Sequence, residues 1–111
     1  MKFERTIVMA WTPVADESDM LVQDFKCFIV DDMEITVYHL DDGFYATSDT
    51  CTHEDCSLSQ DGEIEKHEII CTCHGGAFDI KTGKATRMPC VSPIETFPVR
   101  CHNGRIEVDI D

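Results

Sequence analysis

The segments Cys51-Thr52-His53 and Cys71-Thr72-Cys73-His74-Gly75-Gly76 decide the interpretation of this chain of 111 residues. Each segment places a cysteine shortly before a histidine, as C-x-H in the first and as C-x-x-H in the second. Thiolate sulfur and imidazole nitrogen are both ligands of transition metals in proteins. The two segments therefore offer both kinds of ligand, thiolate and imidazole, for one metal centre.

Two cysteines and two histidines are the ligand set of a Rieske centre, in which one iron of a two-iron two-sulfur cluster binds two thiolates and the other binds two imidazoles. The two segments resemble the cluster loops of Rieske proteins. Further along, Ala77-Phe78-Asp79, Thr82-Gly83 and Met88-Pro89-Cys90-Val91-Ser92-Pro93 are similar to the small Rieske ferredoxins of bacterial aromatic-ring dioxygenase systems. The resemblance runs from about Phe44 to the C-terminus.

The resemblance implies an all-β Rieske iron-sulfur fold, an antiparallel β-sandwich with a small inserted cluster-binding subdomain. Residues 1–111 would form a single Rieske domain, with the cluster-binding subdomain at about residues 48–82. It also implies one 2Fe-2S cluster per chain, bound by Cys51, His53, Cys71 and His74.

A Rieske ferredoxin is an electron-transfer component, and the resemblance implies the same role here. The chain would pass single electrons from a ferredoxin reductase to a terminal aromatic-ring oxygenase. We expect no catalysis by the chain itself, because sulfide, thiolate and imidazole fill the iron coordination and leave no open position for a substrate. The sequence does not name the oxygenase, and a similar ferredoxin could serve a monooxygenase or another redox enzyme.

A structural zinc site is the alternative, because cysteine and histidine at short spacing are also typical of zinc. Cys51, Cys56, Cys71 and Cys73 could supply four thiolates, which would make the chain a zinc-stabilised acidic module that binds a protein partner. The spacings C-x4-C and C-x-C match zinc knuckles poorly, however, and this set leaves both histidines unexplained.

The chain is strongly acidic, with a formal net charge of -13 at pH 7. This charge disfavours nucleic acid and anionic membranes as partners and favours docking onto basic protein surfaces, although it serves solubility equally well. The apolar runs are only a few residues long, whereas a helix that spans a bilayer needs about 20. We therefore expect a cytoplasmic monomer without a membrane anchor.

Short β-rich runs alternate with turn residues, which predicts a mostly β fold. Residues 21–30 and 33–40 flank Asp31-Asp32 and predict a hairpin. Asp41-Asp42-Gly43 then separates the second run from Phe44-Tyr45-Ala46, as expected for a meander.

The C-terminal part of the chain predicts another hairpin. Residues 96–102 should pair with residues 105–110 across Asn103-Gly104, a dipeptide typical of type I′ turns. Strands at Glu68-Ile69-Ile70 and Ala77-Phe78-Asp79 should bracket the second ligand segment. In the hairpin, three alternating residues should face the core: Ile106, Val108 and Ile110.

Cys56 and Cys73 stand where the Rieske proteins of respiratory cytochrome complexes hold a disulfide between their two cluster loops. Dioxygenase ferredoxins usually lack this pair. Two buried thiols are the alternative, since disulfides are uncommon in a reducing cytoplasm. In either case we expect no metal at these two positions.

The second ligand segment lacks two hydroxyl groups that the respiratory proteins offer to sulfur, because Gly76 stands in place of Ser and Phe78 in place of Tyr. Fewer hydrogen bonds to sulfur destabilise the reduced, more negative cluster. The resemblance therefore predicts a midpoint potential at the low end of the Rieske range, roughly -150 mV rather than +300 mV. Cys90 lies in the proline-rich segment that covers the cluster in the family, and we expect it to pack near the metal without binding it.

Overall fold

The computed structural model of the chain describes residues 11–51, 56–73 and 75–110. Strands dominate these residues, which confirms the all-β prediction, and no helix among them is long and apolar enough to cross a membrane. A short 3-10 helix lies at Glu17–Asp19 and one short α-helix, α1, at Leu58–Asp61. The strands are β1 (Trp11–Asp16), β2 (Phe25–Val30), β3 (Met33–Leu40), β4 (Gly43–Ser48), β5 (Gly62–Glu65), β6 (Glu68–Cys71), β7 (Gly76–Asp79), β8 (Ala85–Arg87), β9 (Thr96–Phe97), β10 (Val99–His102) and β11 (Arg105–Asp109).

Two antiparallel sheets enclose the first core. One sheet has the strand order β2-β3-β4-β9, and the other has the order β1-β11-β10. Ile35 and Val37 of β3 lie in one buried cluster with Ile106 and Val108 of β11. Each such fully buried side chain stabilises the fold by about 1.5–3 kcal/mol. The sandwich that the sequence predicts is present.

A third antiparallel sheet, of order β5-β6-β7-β8, carries the second core. Tyr38 and Leu40 of β3 are buried there with Ile69 of β6 and Phe78 of β7. Successive side chains of a strand point to opposite faces. As a result, β3 is buried on both faces, with one face in the sandwich core and the other against the third sheet.

Turn chemistry fixes two hairpins as the sequence predicts. Asp31 and Asp32, between β2 and β3, have φ angles of 49° and 67°, and Asn103 and Gly104, between β10 and β11, have φ angles of 54° and 79°. Two successive positive φ angles define the type I′ turn, which matches the twist of the flanking strands. Both hairpins therefore keep the predicted register.

The predicted strand over residues 96–102 is wrong as a single element. It is divided at Pro98 into β9, which pairs with β4, and β10, which pairs with β11. Proline lacks the N–H group that would continue a ladder, so the chain changes sheets there. Ile110 at the end of the hairpin is half-buried and packs against the same core as Ile106 and Val108, as predicted.

The first predicted strand is too long at its start. β2 begins only at Phe25. Before it, Gln23 has a φ angle of 77°, and the Asp24 backbone N–H donates a hydrogen bond to the Leu21 carbonyl. Residues 21–24 therefore form a turn. The strands β1, β5 and β8 were not predicted.

Candidate metal centre

Two of the four predicted ligands, Cys51 and Cys71, lie in the same buried cluster. Cys51 follows the strand β4, and Cys71 is the last residue of β6. Their side chains are 2% and 0% exposed. His53 and His74 lie outside the described residues. The structure thus brings together one predicted thiolate from each ligand segment, and the placement of the two imidazoles remains a prediction.

The first ligand segment, residues 51–56, is closed at its base by backbone hydrogen bonds. The Cys51 N–H donates to the Cys56 carbonyl at 2.9 Å, and Thr50 and Ser57 form an isolated antiparallel bridge. This pairing brings the two ends of the segment together. The backbone at Cys51 is therefore held in place by the residues that close the base of the segment.

Asp49 connects the base of the first ligand segment to β3 and to α1 through hydrogen bonds. It is 3% exposed, and its Oδ1 atom accepts hydrogen bonds from the Thr36 hydroxyl at 2.6 Å and from the Ser59 N–H at 2.8 Å. Its Oδ2 atom accepts from the Ser57 hydroxyl at 2.7 Å. Burial alone would raise the pKa of Asp49, but the hydrogen bonds from Thr36, Ser57 and Ser59 outweigh burial and lower the pKa. A buried carboxylate with several donors is thereby kept charged.

The second ligand segment, residues 71–76, turns tightly after β6. The Gly75 N–H donates to the Cys71 carbonyl at 2.8 Å, and Gly75 has a φ angle of 80°, which glycine adopts at little cost. The Thr72 N–H donates to the Asp61 carbonyl at the end of α1, also at 2.8 Å. This bond ties the second segment to the helix that follows the first.

A disulfide between Cys56 and Cys73 links the two ligand segments, with their Cα atoms 6.8 Å apart. The sequence alone did not decide between this disulfide and two free thiols. The sulfur atoms of Cys56, Cys71 and Cys73 lie within 4.8 Å of one another. Metal ligation needs thiolates, however, and a disulfide sulfur is not one. The four-cysteine zinc set therefore lacks two of its ligands.

A third segment, residues 88–93, covers the buried cysteines and is called the cover segment below. Cys90 is 3% exposed, whereas the flanking Met88 and Val91 are 76% and 71% exposed. The Sγ atoms of Cys90 and Cys51 are 3.6 Å apart. Burial, and next the hydrogen bond with Cys51, raises the pKa of the Cys90 thiol. The sequence predicted that Cys90 packs near the metal, but only the folded chain shows its contact with Cys51, a predicted ligand.

The donor set fits a Rieske cluster. Cys51 and Cys71 are buried, come from different segments, and are each followed by a histidine two or three residues later. Their thiolates would hold one iron, and imidazoles from the same segments would hold the other. When bound, such a cluster accepts and releases one electron.

The comparison with known protein families gives the class. Residues 10–98 match the family model of the Rieske [2Fe-2S] domain. The chain belongs to this family, and it carries a 2Fe-2S cluster.

Curated relatives and solved structures give the nearer resemblance. The chain is 36% identical over 104 residues to the naphthalene 1,2-dioxygenase system ferredoxin component of Pseudomonas putida. This match covers 94% of this chain and 99% of that protein. It is 42% identical over 76 residues to the p-cumate 2,3-dioxygenase system ferredoxin component of Pseudomonas putida, and this match spans 68% of the chain but only 64% of the relative. A structure described as the complex of reduced oxygenase and oxidized ferredoxin in carbazole 1,9a-dioxygenase matches with a TM-score of 0.84 and 37% identity, over 92% of this chain and 94% of that one.

These relatives are named as ferredoxin components of dioxygenase systems. The chain is accordingly an electron carrier of the Rieske ferredoxin type and not an enzyme by itself. The predicted fold class, cofactor and type of function are confirmed.

Proposed function

We propose that this chain passes one electron at a time from a ferredoxin reductase to the terminal oxygenase of an aromatic-ring dioxygenase system. The observation that carries the proposal is the burial of Cys51 and Cys71 in one cluster within a chain that matches a dioxygenase ferredoxin over nearly its whole length. The matched solved chain with TM-score 0.84 comes from a structure described as a complex with an oxygenase. The identity of the oxygenase and its substrate are outside the proposal.

The ligands in this proposal are Cys51 and Cys71 on one iron and His53 and His74 on the other. The buried positions of the two cysteines support the first pair. The spacing to the histidines supports the second pair. Imidazole ligands raise the potential of their iron above that of an all-thiolate site and favour the reducing electron there.

The acidic charge supports docking onto a basic surface of each partner. With a net charge of -13, encounter with such a surface should be fast at low salt and should slow as salt screens the charges. The same acidic surface of this chain would bind the reductase and the oxygenase in turn. The chain would therefore act as a shuttle and not as a permanent subunit.

We also propose that residues 1–111 act as one domain, with the cluster-binding subdomain at about residues 48–82, and as a cytoplasmic monomer. The second core supports the subdomain, since it gathers residues from β6 and β7 around both cysteines. Gel filtration would test the monomer. Cell fractionation with cytosolic and periplasmic marker enzymes would test the compartment.

Electron transfer is tested by stopped-flow mixing of the dithionite-reduced chain with an oxidised naphthalene-type terminal oxygenase, followed by the visible absorbance of the ferredoxin cluster. We expect rapid reoxidation that slows with added salt. A His74→Ala variant, expected to lose the cluster, is the control for bound iron. Failure to reduce any aromatic-ring oxygenase, together with efficient reduction of another class of redox enzyme, would overturn the proposed partner.

Ligation is tested on the same preparation by iron analysis and electron paramagnetic resonance of the reduced state. We expect two irons per chain, which is the content of one 2Fe-2S cluster, and an average g value below that of an all-cysteine cluster. An average g value typical of four cysteine ligands would contradict the assignment of His53 and His74.

A further inference from the structure

Cys90 is a buried thiol that comes from neither ligand segment. Its backbone N–H donates to the Arg87 carbonyl at 3.2 Å, which holds the cover segment in a turn. Its side chain lies in the second core with Cys51 and Cys71. The Sγ–Sγ distance of 3.6 Å to Cys51 is within reach of a hydrogen bond between sulfur atoms.

Metal binding decides the direction of this hydrogen bond. In the protein alone, either sulfur of the pair can be the donor. A cysteine that binds iron does so as a thiolate and has no proton to donate. Once Cys51 is a ligand, the proton of the pair belongs to Cys90, and the Cys90 thiol donates to the Cys51 sulfur.

Gly76 provides the space for the Cys90 sulfur. A Cβ atom built on Gly76 would clash with the Cys90 Sγ and would lie 3.2 Å from the Cys90 nitrogen. The thiol therefore occupies the place that a side chain at position 76 would take. Phe78, two residues further along and fully buried, offers no hydroxyl group. Positions 76 and 78 therefore provide no side-chain hydrogen-bond donor to a cysteine sulfur. In this chain such a donor comes from the cover segment instead.

We propose that Cys90 is a positioning residue of the electron-transfer site, which donates an S–H hydrogen bond to the Cys51 thiolate and thereby stabilises the reduced cluster. Reduction adds one electron and makes the cluster as a whole more negative, so a hydrogen bond donated to a sulfur that binds the cluster is stronger in the reduced state than in the oxidised state. The Cys90 proton stays on Cys90 throughout. Cys90 binds no iron. The inference rests on Cys51 as a cluster ligand.

The test uses the full-length, cluster-loaded chain and the variants Cys90→Ala and Cys90→Ser. Alanine removes the donor, and serine keeps one. Cys101→Ser is the matched control, because Cys101 is an exposed thiol on β10, in the sheet of order β1-β11-β10. The readouts are iron content, the average g value, and the midpoint potential from voltammetry.

We expect Cys90→Ala to retain iron and the average g value while its midpoint potential falls. A tenfold loss in the relative stability of the reduced state corresponds to 59 mV for a one-electron couple. Cys90→Ser should lie at or above the potential of the unchanged protein, and Cys101→Ser should be equal to it. A Cys90→Ala variant with unchanged iron content and unchanged potential would overturn the proposal.

Deuterium exchange supplies a second readout. Pulsed electron paramagnetic resonance of the reduced protein in D2O should detect an exchangeable deuteron near the cluster that Cys90→Ala lacks and Cys90→Ser retains. If alanine prevents folding, the comparison of Cys90→Ser with the unchanged protein decides, because a serine variant of lower potential contradicts the donor role. Loss of iron from a folded Cys90→Ala variant with a changed average g value would make Cys90 a ligand and would also overturn the proposal. If instead the protein shows no Rieske signal at all, Cys51 is not a ligand of such a cluster, and the ligand assignment and the role of Cys90 are overturned together.

Discussion

Cys56 and Cys73 are joined by a disulfide, which binds the first ligand segment to the second across a sequence separation of 17 residues. Each half-cystine lies close in sequence to a predicted ligand, Cys56 five residues after Cys51 and Cys73 two residues after Cys71. The bond therefore holds the two segments together independently of the metal. Separation of the segments is the motion by which a cluster held between them would be lost.

The disulfide should slow the release of iron. A Cys56→Ala/Cys73→Ala double variant should be less stable by about 3 kcal/mol, the value expected for closing a chain loop of this size. Its visible cluster absorbance should bleach faster in the presence of an iron chelator. Cys101→Ser is the control for removal of an exposed thiol. Equal bleaching rates for the double variant and the unchanged protein would contradict this bracing role.

Asp49 should contribute to stability through the base of the first ligand segment. Asp49→Asn keeps the size of the side chain but removes the charge that receives hydrogen bonds from Thr36, Ser57 and Ser59. Hydrogen bonds to a charged group are each worth about 1.5–3 kcal/mol, and the amide replaces part of them, so we expect a loss of about 1–3 kcal/mol. Urea unfolding measures this loss. Asp32→Asn, at an exposed turn, is the matched control, and a similar midpoint for both variants would refute the prediction.

The midpoint potential should lie near the low end of the Rieske range, roughly -150 mV. Gly76 and the buried Phe78 have no hydroxyl group to stabilise the reduced cluster, and a thiol is a weaker donor than a hydroxyl. Protein film voltammetry at neutral pH gives the value directly. A midpoint above about +50 mV, roughly 200 mV above the low end of that range, would show that other donors compensate.

Local sequence patterns predicted those features of the fold that depend on neighbouring residues. Alternation predicted β3, and Asn103-Gly104 predicted the turn between β10 and β11 because few residues adopt positive φ angles. Cys51 and Cys71 are buried, and their assignment as ligands from the motifs stays a prediction. Pro98 is the residue from which the division of residues 96–102 could have been predicted, because proline cannot donate the ladder hydrogen bond inside a strand.

Contacts between distant residues could not be predicted in the same way. Cys90 contacts Cys51 across 39 residues, and no spacing rule connects the two. The sequence did not decide whether Cys56 and Cys73 form a disulfide, because its pattern fits two free thiols equally well. Only the folded chain places the two segments side by side. Both features follow from how the third sheet brings β6, β7 and the cover segment together, which is a property of the folded chain.

Gly76 and Cys90 should be energetically coupled. Gly76→Ala places a methyl group against the Cys90 sulfur, closer than van der Waals contact allows. No positive φ angle at this position adds backbone strain, so crowding is the cause of any loss of stability. Overpacking of this kind costs about 1–3 kcal/mol. Combining Gly76→Ala with Cys90→Ala removes the crowding sulfur, and the double variant should recover part of that loss. A double-mutant cycle from urea unfolding of the four proteins should therefore give a coupling energy of about 0.5–3 kcal/mol. Strict additivity of the two single variants would mean that the Cys90 side chain moves away freely, and it would then be too mobile to hold a fixed hydrogen bond to Cys51.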